Sequence, residues 1–291
     1  MDIQLSAQQQ AVVDCNEPRI IVKACPGSGK TFSVAARMAK LLRENNLSRH
    51  QGIAAISFTN TACEVIQKEL KETFGCRNIG YPSFIGTIDS FINTYIFLPY
   101  AHLVMGCDYR PEIVGTTFNK WFDYDPTQTR YIRGKLGERI ITSRDANYYF
   151  DLISFGLNDQ LLRLATYQAY HFGKADWDNP NKKDGSPKKI ISELKEMKWK
   201  HFNAGKVNQA DAIYFTFRIL DKYPSIAQNI VRRFPILIID EAQDTTELQM
   251  AIIDKLSQCG AESIMLIGDP DQAIFEWNTA NPHLFMEKYN E

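Results

Sequence analysis

Paired cysteines, long apolar runs and net charge are all in short supply in this chain, and each shortage removes a class of protein. The six cysteines, at 15, 25, 63, 76, 107 and 259, form no C-x-x-C pair and no metal-ligand spacing. A zinc ribbon or disulfide framework is thereby excluded, and reduced thiols of a cytosolic protein are expected. No apolar stretch approaches the ~18 residues of a membrane-spanning helix. Met1-Asp2-Ile3-Gln4 lacks the charged-then-apolar layout of a secretory leader. The expectation is a cytoplasmic protein without a membrane partner. Basic and acidic residues number 33 and 34, a net charge of −1. No global field draws such a chain onto nucleic acid, so any such site must be a local patch or a stacking surface. Internal repeats and low-complexity segments are also missing. The 291 residues can bury a large core, with room for a second domain or a large insertion.

What is present starts with residues 24–31. The apolar run Ile20-Ile21-Val22 leads into Ala24-Cys25-Pro26-Gly27-Ser28-Gly29-Lys30-Thr31. Strand, glycine-rich turn and helix in that order make a phosphate-binding loop, because a helix N-terminus offers unpaired N–H groups and partial positive charge. Gly27 and Gly29 let the backbone curl around phosphates, Lys30 reaches the terminal ones and Thr31 is placed to hold Mg²⁺. Ala24 stands where the usual pattern has glycine.

A second signal lies at 236–244, four apolar residues followed by Asp240-Glu241-Ala242-Gln243-Asp244. A buried strand ending in two acids presents them at the carboxyl edge of a sheet, where open α/β folds bind ligands. There Asp240 would hold Mg²⁺ and Glu241 would polarise the water that attacks the γ-phosphate. An acidic pair after an apolar strand can also open a helix, with Asp at its N-cap.

The chain alternates strand and helix at both ends. Strands are expected at 20–24, 52–58, 84–86, 236–240 and 263–267, with helices at about 31–42, 60–72, 89–97 and 246–257. Strands separated by helices at this spacing mean a parallel sheet. Between about 98 and 231 the rhythm is lost, and a mainly helical inserted subdomain is expected. A turn-rich break at 178–187 opens a lysine-rich stretch, Lys182 to Lys200, ending near Trp199 and His201. It reads either as a solvated amphipathic helix or as a DNA-facing surface.

Further motifs complete a series. Leu5-Ser6-Ala7-Gln8-Gln9 precedes the loop, Ser57-Phe58-Thr59-Asn60 follows the second strand, and Gly86-Thr87-Ile88-Asp89-Ser90-Phe91 follows the third. Gly268-Asp269-Pro270-Asp271-Gln272 runs on through to Trp277. With the loop and the acidic pair, six motifs stand in the order of UvrD/Rep-type superfamily 1 DNA helicases, which the chain resembles over about 1–97 and 232–285. The middle resembles that family's inserted 1B subdomain in position only.

The resemblance implies an α/β fold: a RecA-like P-loop NTPase domain (1–97 and 232–291) with the helical insertion at 98–231. It implies ATP with Mg²⁺ as cofactors, single-stranded DNA as partner and 3′→5′ translocation. Gln9 would read adenine, Gln272 would sense the γ-phosphate and Gln243 would couple nucleotide to DNA. Phe58, Thr59, Asn60, Thr87 and Ser90 would line the strand's track, and Trp277 would stack on a base. Three residues depart from the pattern: Thr61 for Lys, Asp89 for His and Asn278 for Arg. The later motifs of the family belong to a second RecA-like domain, whose arginines complete the ATP site. The expectation is therefore the ATP-binding half of a helicase, able to bind ATP but with little turnover by itself. The alternative is a nucleotide-gated switch or a partner subunit of a nuclease in repair or anti-phage defence.

Overall fold

A computed structural model of the chain describes residues 4–44, 46–76, 79–114, 153–163, 168–169, 195, 198–199, 201–272 and 282–290. Chain contacts divide it into two compact units, 1–96 with 220–291 and 97–219.

The first unit is built on five parallel strands: β1 (Arg19–Lys23), β2 (Ile53–Ser57), β3 (Phe84–Thr87), β9 (Ile236–Ile239) and β10 (Ser263–Gly268), in the spatial order β1-β10-β9-β2-β3. The central strands are apolar but for Ser57 at the end of β2 and Ser263 at the start of β10. All five residues of β2 are buried, as are the last three of β9 and the last five of β10. Such continuous burial is what a parallel sheet covered on both faces requires. Register pairs Ile20 with Met265, Leu266 with Ile239, Ile56 with Ile239 and Ile56 with Gly86.

Four helices follow or precede the first three strands: α1 (Ala7–Asp14), α2 (Lys30–Glu44), α3 (Asn60–Lys68) and the short α4 (Ile88–Ile92). Helix α2 supplies Val34, Ala35, Met38 and Ala39 to a core with Ile53, Ala55, Ile66, Ile238, Met265 and Ile267. Its small alanines admit the helix close to the sheet, and each large aliphatic chain so buried contributes about 1.5–3 kcal/mol. The helices expected at 60–72 and 89–97 each change pitch. The chain widens into π turns at Glu69–Thr73 and Asn93–Phe97. Rings of Phe84, Phe91, Tyr95 and Phe234 pack with centroids 4.9–5.5 Å apart, which makes Phe91 a core aromatic.

The second unit carries small sheets as well as helix among its described residues. β4 (Glu112–Ile113) pairs with β8 (Lys206–Val207), and β5 (Ile153–Phe155), β6 (Leu161–Arg163) and β7 (Gln168–Ala169) form an antiparallel sheet. Strands of two or three residues carry too little alternation to be read from sequence. A fully buried ion pair, Lys198 Nζ to Asp211 at 2.6 Å, is joined by Ser154 Oγ donating to the same carboxylate at 2.8 Å. The expected return boundary at 231/232 moves to 219/220. The helix Pro224–Arg233, with Ile226, Ala227, Ile230 and Val231 buried, packs on the helix Glu247–Gln258 of the first unit. Residues 182–194, 196, 197 and 200 of the lysine-rich stretch lie outside the described residues. Among the described residues, no helix is long and apolar enough to cross a membrane.

Candidate active site

Parallel strands all end at one edge, so the sheet gathers its loops there. Across the carboxyl edge the order runs Ala24 after β1, Asp269 after β10, Asp240 after β9, Phe58 after β2 and Ile88 after β3. The Ala24 N–H donates to Gly268 O at 2.9 Å, tying the loop's start to β10. Ser28 N–H closes a turn on Cys25 O at 3.2 Å, and residues 25–28 are exposed. Gly27 and Gly29 have φ of +71° and +78°, the left-handed region that glycine enters without strain.

Lys30 opens α2 and folds its side chain inward, where 9% of it is exposed. Its Nζ lies 3.2 Å from Glu241 Oε2. One residue on, Thr31 Oγ1 donates to Asp240 Oδ2 at 3.2 Å, joining groups 209 residues apart. Asp240 is fully buried, its N–H donating to Ile56 O at 2.8 Å. Burial, reinforced by the neighbouring Glu241 charge, pushes its carboxyl up to about 6, against the Glu241 N–H, Thr31 and Lys30, which favour the anion. Burial and Glu241 also raise Asp244. The alternative of a helix opening at Asp240 is not what forms: a 3-10 turn, Ala242–Asp244, begins only after Glu241.

Glu241 itself has φ +55°, ψ +40°, a left-handed conformation in a residue with a Cβ. That conformation costs about 1–2 kcal/mol and aims the carboxylate out of the strand direction. Gln243 holds the carboxylate in place. Its Nε2 donates to Glu241 Oε2 at 2.9 Å, while its Oε1 accepts from Asp269 N at 2.9 Å. Only a glycine at 268 leaves room for that amide, since a Cβ there would lie 2.6 Å from Gln243 Oε1. Asp269, 1% exposed, accepts from Asp271 N at 3.1 Å through Oδ1, and its Oδ2 is buried without a hydrogen bond among the described residues.

Gln9 reaches the loop from α1. Its Nε2 donates to Ser28 O at 3.2 Å and its Oε1 accepts from Ser6 N at 3.0 Å in a capping box. Both ends of the amide are thus engaged within the chain, within reach of the loop's glycines: a Cβ on Gly29 would meet Nε2 at 2.8 Å.

Of the residues expected along a nucleic-acid track, Phe58, Thr59, Asn60, Thr87 and Ser90 sit on the other side of the same edge. Phe58 is half-buried, and Thr59 and Asn60 are exposed. Thr59 caps α3 by accepting from Ala62 N at 3.1 Å, and Thr87 caps α4 by accepting from Ser90 N at 3.2 Å. Thr61 is exposed and Asp89 half-buried. Gln272 ends a 3-10 turn, Pro270–Gln272. Its side chain, Trp277 and Asn278 lie outside the described residues. Asp269 stood within a sequence motif without a role of its own, and Arg37 escaped the sequence reading. Arg37 left one signal, a lone cation inside the run Val34-Ala35-Ala36-Arg37-Met38-Ala39.

Among the described residues, no cluster of three His, Cys, Asp or Glu side chains could cage a metal ion. The Thr31 hydroxyl and Asp240 carboxylate are hard oxygen donors that converge within 3.2 Å. Such a sparse pair fits Mg²⁺, which is commonly held by one or two protein oxygens plus phosphates and water.

Comparison with known proteins adds to this geometry. A family model described as UvrD/REP helicase N-terminal domain matches residues 5–291. The chain is 24% identical over 282 residues to "ATP-dependent DNA helicase PcrA" of Bacillus subtilis (strain 168), covering 95% of this chain and 34% of that protein. It is 25% identical over 279 residues to "DNA helicase II" of Escherichia coli (strain K12), covering 95% and 35%. Over 87 residues it is 32% identical to "Exonuclease/helicase subunit RexA" of Lactococcus lactis subsp. cremoris (strain MG1363), covering 30% and 7%. The chain spans about a third of the length of the helicases it matches end to end.

Proposed function

The chain belongs to the UvrD/REP helicase N-terminal domain family, and from that premise we propose that it is the ATP-binding part of an ATP-dependent DNA helicase or translocase. The observation that carries this reading is the convergence of Lys30 on Glu241 and Thr31 on Asp240 at the sheet's carboxyl edge, beside a loop with two left-handed glycines. Bound there, ATP with Mg²⁺ supplies the phosphoanhydride to be cleaved and a cation that offsets charge on its oxygens. Thr31 and Asp240 would hold the metal. Lys30 exchanges Glu241 for the β- and γ-phosphates, which releases the carboxylate to orient and deprotonate water. Gln9 gives up its internal partners to read the adenine edge, a task for which an amide has both donor and acceptor. Gln272 senses the γ-phosphate, and Gln243, bridging β9 and β10, relays its state toward bound DNA.

Single-stranded DNA runs past Phe58, Thr59, Asn60, Thr87, Ser90 and Trp277, with translocation 3′→5′. The inserted subdomain corresponds to the family's 1B. The names of two relatives, matched over 88 and 87 residues, join helicase with nuclease or exonuclease, and a nuclease is the partner they favour. The test of the ATP site is a titration of a fluorescent ATP analogue with Mg²⁺ against wild type and Lys30→Ala. A large loss of affinity in the variant is expected, because Lys30 is the cation the loop aims at the phosphates. Equal affinities would overturn the assignment.

A further inference from the structure

Helix α1 carries Gln9 and packs on the core through Val13 and the partly buried Val12 of its eight residues. Only Val13 is buried. The helix ends on a single guanidinium. Arg37 Nη1 donates to Val12 O at 3.0 Å, Val13 O at 3.3 Å and Cys15 O at 2.6 Å. Arg37 is 2% exposed, and none of the ion pairs among the described residues includes it. Its counter-charge is the negative end of α1, where carbonyls lack helical partners. One turn further along α2, Lys40 Nζ meets Asp14 Oδ1 at 2.8 Å. At the opposite end of α1, the Gln9 amide touches the phosphate loop through Ser28 O at 3.2 Å. Arg37 lies on the helix that Lys30 opens. The position of Gln9 is therefore referenced to the same rigid element that presents the phosphate-binding lysine.

We propose that Arg37 is a positioning residue for base recognition: it clamps the C-terminal carbonyls of α1 to α2 and so holds the Gln9 amide at the distance from the phosphate loop that adenine requires. The inference rests on the reading of Gln9 as the adenine contact. A plain cap would satisfy carbonyls anywhere on the surface. This one is buried, shares the two N–H groups of one nitrogen among three carbonyls and joins the two helices whose separation decides where base and phosphates sit.

The experiment measures binding of Mg²⁺·ATP and of Mg²⁺·tripolyphosphate, which has no base, by calorimetry on the whole chain. Hydrogen exchange over residues 7–14 is followed in parallel. Arg37→Met keeps the aliphatic stem and removes the donors. It should weaken ATP binding by about tenfold, the scale of one lost polar contact to the base, while tripolyphosphate affinity moves by less than about twofold. Exchange in 7–14 should quicken. Adding Gln9→Ala to Arg37→Met should cost no more than Gln9→Ala alone, since both remove one interaction. Arg43→Met is the control. It removes a bond from the same helix to Phe74 O at 2.6 Å and should leave the ratio of the two affinities unchanged. Equal losses for both ligands, additive effects of the double variant, or unchanged exchange would each overturn the proposal. Wild type binding ATP no better than tripolyphosphate would instead sink the Gln9 reading and this role with it. Faster exchange in Arg37→Met would identify that failure as the reading's own, with the clamp intact. Should Arg37→Met not fold, Arg37→Lys serves, because its ammonium sits one bond short of the Nη1 position and lacks the planar guanidinium. An unchanged affinity ratio there refutes the idea equally.

Discussion

Replacing Asp240 by Asn should stabilise the ligand-free protein while abolishing Mg²⁺-dependent ATP binding. Asp240 is fully buried beside a second carboxylate, and its carboxyl rises from the ordinary 3.8 to about 6. Keeping it ionised at neutral pH therefore costs folding about 3 kcal/mol. Asn retains an acceptor for the Glu241 N–H, now made by Asp240 Oδ1 at 3.0 Å, and Thr31 can turn its hydroxyl to accept instead of donate. Allowing about 1–2 kcal/mol for imperfect replacement of those bonds leaves a net gain of about 1–2 kcal/mol. For a folding unit of this size that is a rise of about 2–8 °C in Tm. The sign with pH follows from proton counts. Between the ordinary value and about 6, the folded state holds a proton that the unfolded chain has released. Through this group, stability falls as pH rises across that window and stays low above it. The assay is thermal unfolding of wild type and Asp240→Asn in EDTA without nucleotide, at pH 7.5 and near pH 4.5. The variant should lead at the higher pH and lose its advantage at the lower. A lower Tm for the variant at pH 7.5, or a difference that ignores pH, would refute the reasoning.

Glu241→Gln should leave ATP affinity within about threefold yet remove DNA-stimulated phosphate release from the whole gene product, because the charge acts on water rather than on binding. Wild-type turnover in that variant would name another base. Gly268→Ala forces a Cβ to 2.6 Å from Gln243 Oε1. The displaced amide no longer holds Glu241, so turnover should fall by about tenfold or more with little change in ATP affinity, measured by single-turnover kinetics alongside equilibrium binding.

Local order along the chain settled much of this protein. A run of apolar residues ending in glycines and Lys30-Thr31 can only be a strand, a turn and a helix start. The acids after 236–239 belong at a strand's end for the same reason, and both features are written within ten residues. The extra strands of the second unit were not legible because two or three residues cannot show a period. The boundary at 219/220 escaped because the helix Pro224–Arg233 looks the same whichever unit covers its apolar face.

Tertiary structure alone decided how the pieces meet. Strands β9 and β10 return between β1 and β2, so Asp240 and Asp269 come to lie beside the phosphate loop, while Phe58 and Thr87 fall on the far side of the edge. No local pattern predicts that order, because it arises from which apolar strands pack and pair after the whole sheet assembles. The Thr31–Asp240 bond spans 209 residues and the Gln243–Asp269 bond 26, and each forms only because the assembled sheet brings the start of α2 and the ends of β9 and β10 to one edge. Arg37 is the sharpest case. In sequence it interrupts an apolar helix face, and only the packing of α1 against α2 turns that interruption into a buried donor for three carbonyls. Sequence patterns specify elements through neighbours a few residues apart, whereas burial, and the charge interactions it strengthens, exist only between surfaces that folding has brought together.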